Sequence, residues 1–134
     1  MRTILEEIAA YKREKEVPEL LAKVSMAEME AKATNTPPPL DFLGHLKNAL
    51  GIALIAEIKK ASPSRGLLRP DFDPAQLAID YTAGGANAIS VLTDAPYFQG
   101  SLDDFRLVRI ACPQTPLLRK DFIERFVEVG DRHD

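Results

Sequence analysis

Three short, uninterrupted apolar runs constrain the fold of this chain more than any other feature: Ile52 to Ile58, Ala86 to Leu92, and Pro116 to Leu118 with its polar end. Their starts lie roughly thirty residues apart, the size of one βα unit. Continuous apolar character suits strands covered on both faces, as in parallel sheets. Between the first two runs, Asp73 followed by Pro74 reads as an N-cap with proline at the first helical position. Leu77, Ala78 and Tyr81 then face inward, and Gly84 with Gly85 ends the helix. Between the second and third, Ser101-Leu102-Asp103-Asp104 opens a capped helix with Phe105, Val108 and Cys112 on its apolar side and Pro113 as its stop. Strict alternation of strand and helix implies right-handed crossovers and a parallel sheet, either doubly wound or part of a barrel. A dinucleotide-binding sheet would carry a Gly-rich turn directly after its first strand. Here Lys59, Lys60, Ala61, Ser62, Pro63 and Ser64 follow Ile58 instead.

The first fifty or so residues follow a helical grammar. Ile4, Leu5, Ile8 and Tyr11 recur at helical spacing, and a second run starts at Pro18 with Leu20, Leu21, Val24 and Met29. After Pro37, Pro38 and Pro39, Asp41 caps a short helix with Phe42, Leu43, Leu46 and Leu50 inside and Gly51 as its stop. The expected organisation is a helical extension over 1–51, three strands with their helices over 52–123, and a tail over 124–134.

Composition narrows the partners. Seventeen Lys and Arg are scattered among twenty Asp and Glu, giving a net charge of -3 and no basic stripe, so no nucleic-acid partner is expected. No apolar stretch approaches the roughly 20 residues of a membrane span, and Glu6, Glu7 and Glu14 stand where a signal peptide would be apolar. Cys112 is the single cysteine and lies in an apolar run, which predicts a buried thiol and a reducing, cytoplasmic setting. His45 and His133 are isolated, so no metal site is expected.

In parallel αβ barrels the reacting groups lie at the C-terminal ends of the strands, where the loops converge. At the end of the first strand, Glu57 and Lys59 are two residues apart, so both take one face while Ile58 takes the other. At the end of the third, Leu118 and Lys120 share one face and Arg119 and Asp121 the opposite one. Two lysines over one pocket would attract an anionic substrate and supply protons to it. The plainer alternatives are solvated loop lysines, a structural Glu57–Lys59 ion pair, and an ordinary turn at Ser62-Pro63-Ser64.

The wording of these segments taken together resembles the indole-3-glycerol-phosphate synthase family. IAEIKKASPSRG from Ile55 to Gly66 is similar to that family's first-strand signature, AISVLTDAPYFQGS from Ala88 to Ser101 to its second strand and loop, and LLRKDFI from Leu117 to Ile123 to its third. PPPLDF, from Pro37 to Phe42, resembles the link between the family's helical extension and its barrel. The resemblance covers about residues 1 to 123 and implies a parallel (β/α)8 TIM barrel. It implies a carboxy-lyase of tryptophan biosynthesis that uses neither cofactor nor metal. The family closes a ring in 1-(2-carboxyphenylamino)-1-deoxyribulose 5-phosphate, with loss of carbon dioxide and water. By motif, Lys120 matches the general acid at the substrate carbonyl. Lys59 matches the lysine at the substrate's anionic groups, with Glu57 as its acidic neighbour. Ser62 matches a substrate-contacting serine, and Phe98 and Phe122 match aromatic walls of the pocket.

Family barrels need about 250 residues, so this chain is expected to hold about three βα units of an incomplete barrel. The later glutamate and the phosphate cradle of the last two βα loops would lie outside it. ERFVEVGDRHD, after Ile123, reads as divergent from the family. Open strand edges and half-covered apolar faces predict self-association or pairing with a C-terminal half barrel, and poor activity alone. Two other readings remain: a noncatalytic half-barrel module, and another phosphosugar barrel such as an aldolase using Lys120 as a Schiff-base nucleophile.

Overall fold

A computed structural model describes residues 1–124, which fall into two compact units: one from Met1 to Pro37 together with the segment from Phe122, the other from Pro38 to Asp121.

In the first unit, α1 (Ile4–Tyr11) begins at a complete capping box. The Thr3 hydroxyl accepts the Glu6 N–H at 3.3 Å, and the Glu6 carboxylate accepts the Thr3 N–H at 2.7 Å. The helix does not stop before Pro18, as two separate apolar runs would suggest. It continues through a π-helical turn, Lys12–Glu16, into α2 (Val17–Lys23). Pro18 lacks an N–H and its ring crowds the preceding turn, and the wider turn directly upstream absorbs that mismatch without ending the helix. α3 (Met26–Thr34) starts at a second capping box, Ser25 with Glu28. Val17 and Met29 are buried together, with Leu21, Val24 and Met26 packed around them. Lys12 is fully buried and holds Glu16 at 2.7 Å, one turn away.

The second unit opens with α4 (Phe42–Lys47), capped by Asp41, whose carboxylate accepts the Gly44 N–H at 2.9 Å. This helix is shorter than its sequence suggests. Phe42 and Leu46 are half-buried while Leu43 and Leu50 are exposed, and Asn48 already caps the C-terminus, ahead of Gly51. A six-residue helix has too few turns to bring four apolar residues to one side.

The sheet follows. β1 (Ile55–Ile58) is succeeded by a small antiparallel hairpin of β2 (Ala61–Ser62) and β3 (Gly66–Leu67), then α5 (Pro74–Ala83), β4 (Ala88–Leu92), α6 (Leu102–Ala111) and β5 (Leu117–Lys120). β1, β4 and β5 form one parallel sheet in that order, with Glu57 opposite Ser90, Ser90 opposite Leu118, and Leu92 opposite Lys120. Strand–helix alternation thus yields the parallel sheet the sequence implies. β1 begins at Ile55, later than the apolar run, and the exposed Leu54 ahead of it is bonded through its carbonyl to the N–H groups of Asn87 and Ala88.

Both helices mark their starts as the sequence predicts. Asp73 accepts the Gln76 N–H at 3.0 Å, and Ser101 accepts the Asp104 N–H at 3.0 Å. Leu77 and Ala78 of α5 meet Phe105 and Val108 of α6, with Cys112, over Ile58, Ile89 and Val91 of the sheet, and Tyr81 and Leu117 pack at the margin. The odd positions of β4, Ile89 and Val91, therefore face the helices. Ala88, Ser90 and Leu92 take the other face, which carries Glu57 of β1 and Lys120 of β5. Cys112 is a buried thiol that accepts the Thr82 hydroxyl at 3.5 Å, as its apolar surroundings predict.

Candidate active site

The face opposite α5 and α6 gathers the charged groups at the C-terminal ends of the strands. Glu57 on β1, Ser90 on β4 and Lys120 at the tip of β5 occupy it by register, and Lys59 follows β1 with the same parity. Glu57 lies between the two lysines. Its Oε2 accepts Lys120 Nζ at 2.5 Å and the Ser90 hydroxyl at 3.4 Å, while its Oε1 lies 3.6 Å from Lys59 Nζ. The lysines share a carboxylate, which offsets the repulsion that two adjacent ammonium groups would otherwise feel. The site is open: the side chains of Lys120, Lys59 and Glu57 are 53%, 35% and 30% exposed.

Partial burial pushes the Glu57 carboxyl upward. Against it work the hydrogen bond and charge of Lys120, the charge of Lys59 and the Ser90 hydroxyl, which together hold it below its ordinary 4.5. A carboxyl lowered by folding adds stability above its unfolded-state value, and that contribution disappears as pH falls through the folded value. The parent chain is therefore expected to lose stability faster than Glu57→Gln as pH drops from the ordinary value of 4.5 downward. Urea midpoints across that range check this, and superimposable curves would refute it.

The loop after β4 is tied down by Asp94, which is fully buried and accepts the N–H groups of Tyr97 at 2.9 Å and Phe98 at 3.1 Å. Its carbonyl accepts the Gly100 N–H at 2.8 Å, so residues 94–100 close on themselves above the strand tip. Gly100 passes so near β4 that a Cβ there would lie 2.2 Å from the Leu92 carbonyl oxygen and 2.8 Å from its carbon. Since the obstruction is backbone, Gly100→Ala is expected to cost about 1–3 kcal/mol, measurable by urea unfolding.

Not every sequence candidate joins this cluster. Phe98 is half-buried on the β4 loop. Ser62 is buried in β2, where its hydroxyl accepts the Arg65 N–H at 3.2 Å and sits 3.5 Å from the Ser64 hydroxyl. Phe122, half-buried, begins the segment that belongs to the other compact unit. Sequence reasoning missed Ser90. Its signal is a lone hydroxyl within AISVL, and recognising its partner requires the register that pairs it with Glu57. Also missed was a network on the opposite face, joining Thr93, Arg119 and Asp121. The tail from 124 onward lies outside the described residues except for Glu124, which pairs with Arg13 at 3.2 Å. Among the described residues no group of His, Cys, Asp and Glu is arranged to hold a metal, and no helix is long and apolar enough to cross a membrane.

Comparison with known proteins meets this geometry from another direction. Residues 5–131 match the family described as Indole-3-glycerol phosphate synthase, a span that takes in most of the segment the sequence set apart as a tail. Curated relatives of that name include one from Roseiflexus sp. strain RS-1, 50% identical over 92% of this chain and 47% of its own length. Another, from Mycolicibacterium gilvum, is 54% identical over 82% of this chain and 40% of its own length. A third, from Dechloromonas aromatica, is 46% identical over 98% of this chain and 50% of its own length. The chain spans about half the length of the curated relatives it matches. A family match covering nearly the whole chain, over a parallel sheet with its lysines and carboxylate at the strand tips, establishes that this chain belongs to the indole-3-glycerol phosphate synthase family.

Proposed function

We propose that this chain supplies the first three βα units of a TIM barrel that makes indole-3-glycerol phosphate in the cytoplasm, with Lys120, Lys59 and Glu57 as its contribution to the site. The observation that carries the reading is Glu57 held between Lys59 and Lys120 at the open strand tips. The substrate, 1-(2-carboxyphenylamino)-1-deoxyribulose 5-phosphate, carries a carboxylate and a phosphate, and two lysines facing one mouth suit such an anion. As the ring carbon bearing the carboxylate attacks the carbonyl carbon, one ammonium gives its proton to the carbonyl oxygen. The carboxyl leaves as carbon dioxide, and its bonding electrons restore the aromatic ring. A second proton lets the new hydroxyl depart as water while the neighbouring carbon gives up a proton, for which Glu57 is the nearby carboxylate. No step calls for a metal or cofactor. Lys120 is assigned to the carbonyl and Lys59 to the anionic groups, with Ser62, Phe98 and Phe122 as substrate contacts. Helical extension, barrel segment and tail divide near residues 51 and 123 in this reading.

A barrel of this kind holds its substrate phosphate with the last two βα loops, so turnover needs a C-terminal half barrel to complement this chain. The edges β1 and β5, each with one neighbour among the described residues, and the exposed Ile55 and Leu118 on the site face support such pairing. The test is fluorescence-monitored formation of indole-3-glycerol phosphate by the 134-residue protein, alone and co-expressed with the C-terminal half of a relative. Activity only in the pair is expected. Turnover by the chain alone would overturn the need for a complement, and a silent pair would overturn the activity. Borohydride with substrate separates the aldolase reading, since a proton-donating Lys120 stays unmodified whereas a Schiff-base lysine is trapped.

A further inference from the structure

Lys120 has four rotatable bonds and a half-exposed side chain, so its aim depends on how firmly its backbone is set. Three contacts converge there, all from one residue. The Thr93 N–H donates to the Lys120 carbonyl at 3.1 Å. The Thr93 hydroxyl donates to Asp121 Oδ2 at 2.8 Å and accepts Arg119 Nε at 3.1 Å. Arg119 Nη2 closes the triangle at 3.5 Å from Asp121 Oδ2. Arg119 and Asp121 flank Lys120 in the chain and, by strand alternation, point to the opposite face. The network is well shielded, with Thr93 buried and the side chains of Arg119 and Asp121 only 18% and 6% exposed.

We infer that Thr93 is a positioning residue for Lys120: its hydroxyl pins both neighbours of the lysine from behind the sheet and thereby fixes the direction in which the ammonium leaves the strand tip. A catalytic group must be held within about 10–20° of its productive orientation, and at Lys120, the last residue of β5, the strand ladder ends and supplies little such restraint by itself. Fixing the residues on either side of Lys120 prevents the peptide from rolling about the strand axis, the motion that would carry Nζ away from Glu57. The hydroxyl is needed because it donates to a carboxylate and accepts from a guanidinium at once, which a methyl cannot do.

The kinetic part of the test rests on the proposed function; the spectroscopic part does not. Thr93→Val keeps the shape and β-branching and removes both hydroxyl contacts. In the 134-residue chain, lysine-selective 15N NMR is expected to show the Lys120 ammonium signal moving to the position it takes in Glu57→Gln. Thr93→Ser is expected to leave it at the parent position. In the reconstituted pair, Thr93→Val is expected to lower kcat roughly 10- to 100-fold with KM within about twofold, and Thr93→Ser to restore most of it. Arg119→Gln removes the other arm of the network and is expected to shift the same signal, which covers the case that Thr93→Val does not fold. An unmoved Lys120 signal in the folded variant, or a Thr93→Ser loss as deep as that of Thr93→Val, would overturn the inference. If the parent pair shows no turnover, the proposed activity fails while the NMR comparison still decides the role of Thr93.

Discussion

Lys120→Ala in the reconstituted pair is expected to lower kcat by about 10²- to 10⁴-fold, the usual contribution of a positioned general acid. Lys120 ends β5 on the face away from the helices, meets Glu57 at 2.5 Å and remains half exposed, so it can turn from its carboxylate to a substrate oxygen without unpacking anything. Removing it leaves Glu57 paired with Lys59 and Ser90, hence the fold survives and the loss is chemical. Lys120→Arg is expected to keep the positive charge of the site but recover little of the rate, because a guanidinium keeps its proton and presents it in a rigid fork. Steady-state kinetics separates the two: KM near the parent value in Lys120→Arg, kcat depressed in both. A Lys120→Ala pair retaining a tenth or more of the parent kcat would remove the general acid from the mechanism.

The largest effect on stability is expected at Phe105. Its ring lies inside the one core of the sheet unit, beside Leu77 and Ala78 of α5 and over Ile58, Ile89 and Val91. Phe105→Ala deletes that ring where the surrounding strands and helices cannot close up, at a cost of about 3–5 kcal/mol. Domains of this size have only about 5–15 kcal/mol in hand, so the variant should lose a large share of its stability while still showing a cooperative transition. Leu107, two positions along and 47% exposed, is the control, and Leu107→Ala should change stability by no more than about 0.5 kcal/mol. Urea unfolding with an unchanged slope and a lowered midpoint in Phe105→Ala alone checks the pair.

Much of this arrangement is legible in the amino-acid sequence where a strong period or a strong cap speaks. The period of two places Glu57 and Lys59 against Ile58, and Lys120 against Arg119 and Asp121, and the structure keeps that division. Asp73-Pro74 and Ser101 locate helix starts because few residues other than Asp, Asn, Ser and Thr satisfy an open N–H there. The misses have physical causes. Two-residue strands such as β2 and β3 are too short to show any period, so the hairpin after β1 is silent in the sequence. The unbroken passage from α1 to α2 depends on a π-helical turn, a backbone adjustment without a side-chain signature. The Ser90–Glu57 contact and the Thr93 network depend on which strands pair and in what register, which a one-dimensional pattern does not contain. Ser62 is named by its motif alone, and its hydroxyl accepts the Arg65 N–H in the turn after β1, a local bond the sequence does not announce.

The pleat of β1, β4 and β5 sends neighbouring residues to opposite sides, so each strand writes two separate texts at once. One, spelled by Ile58, Ile89, Val91 and Leu117, is read by the helices. The other, spelled by Glu57, Ser90 and Lys120, is read by whatever enters the mouth. Free-energy changes at distant positions in the two texts should sum, since such residues share no partner. A lineage could therefore exchange the exposed charges at the strand tips, Glu57 and Lys120, while leaving the helix-side scaffold intact.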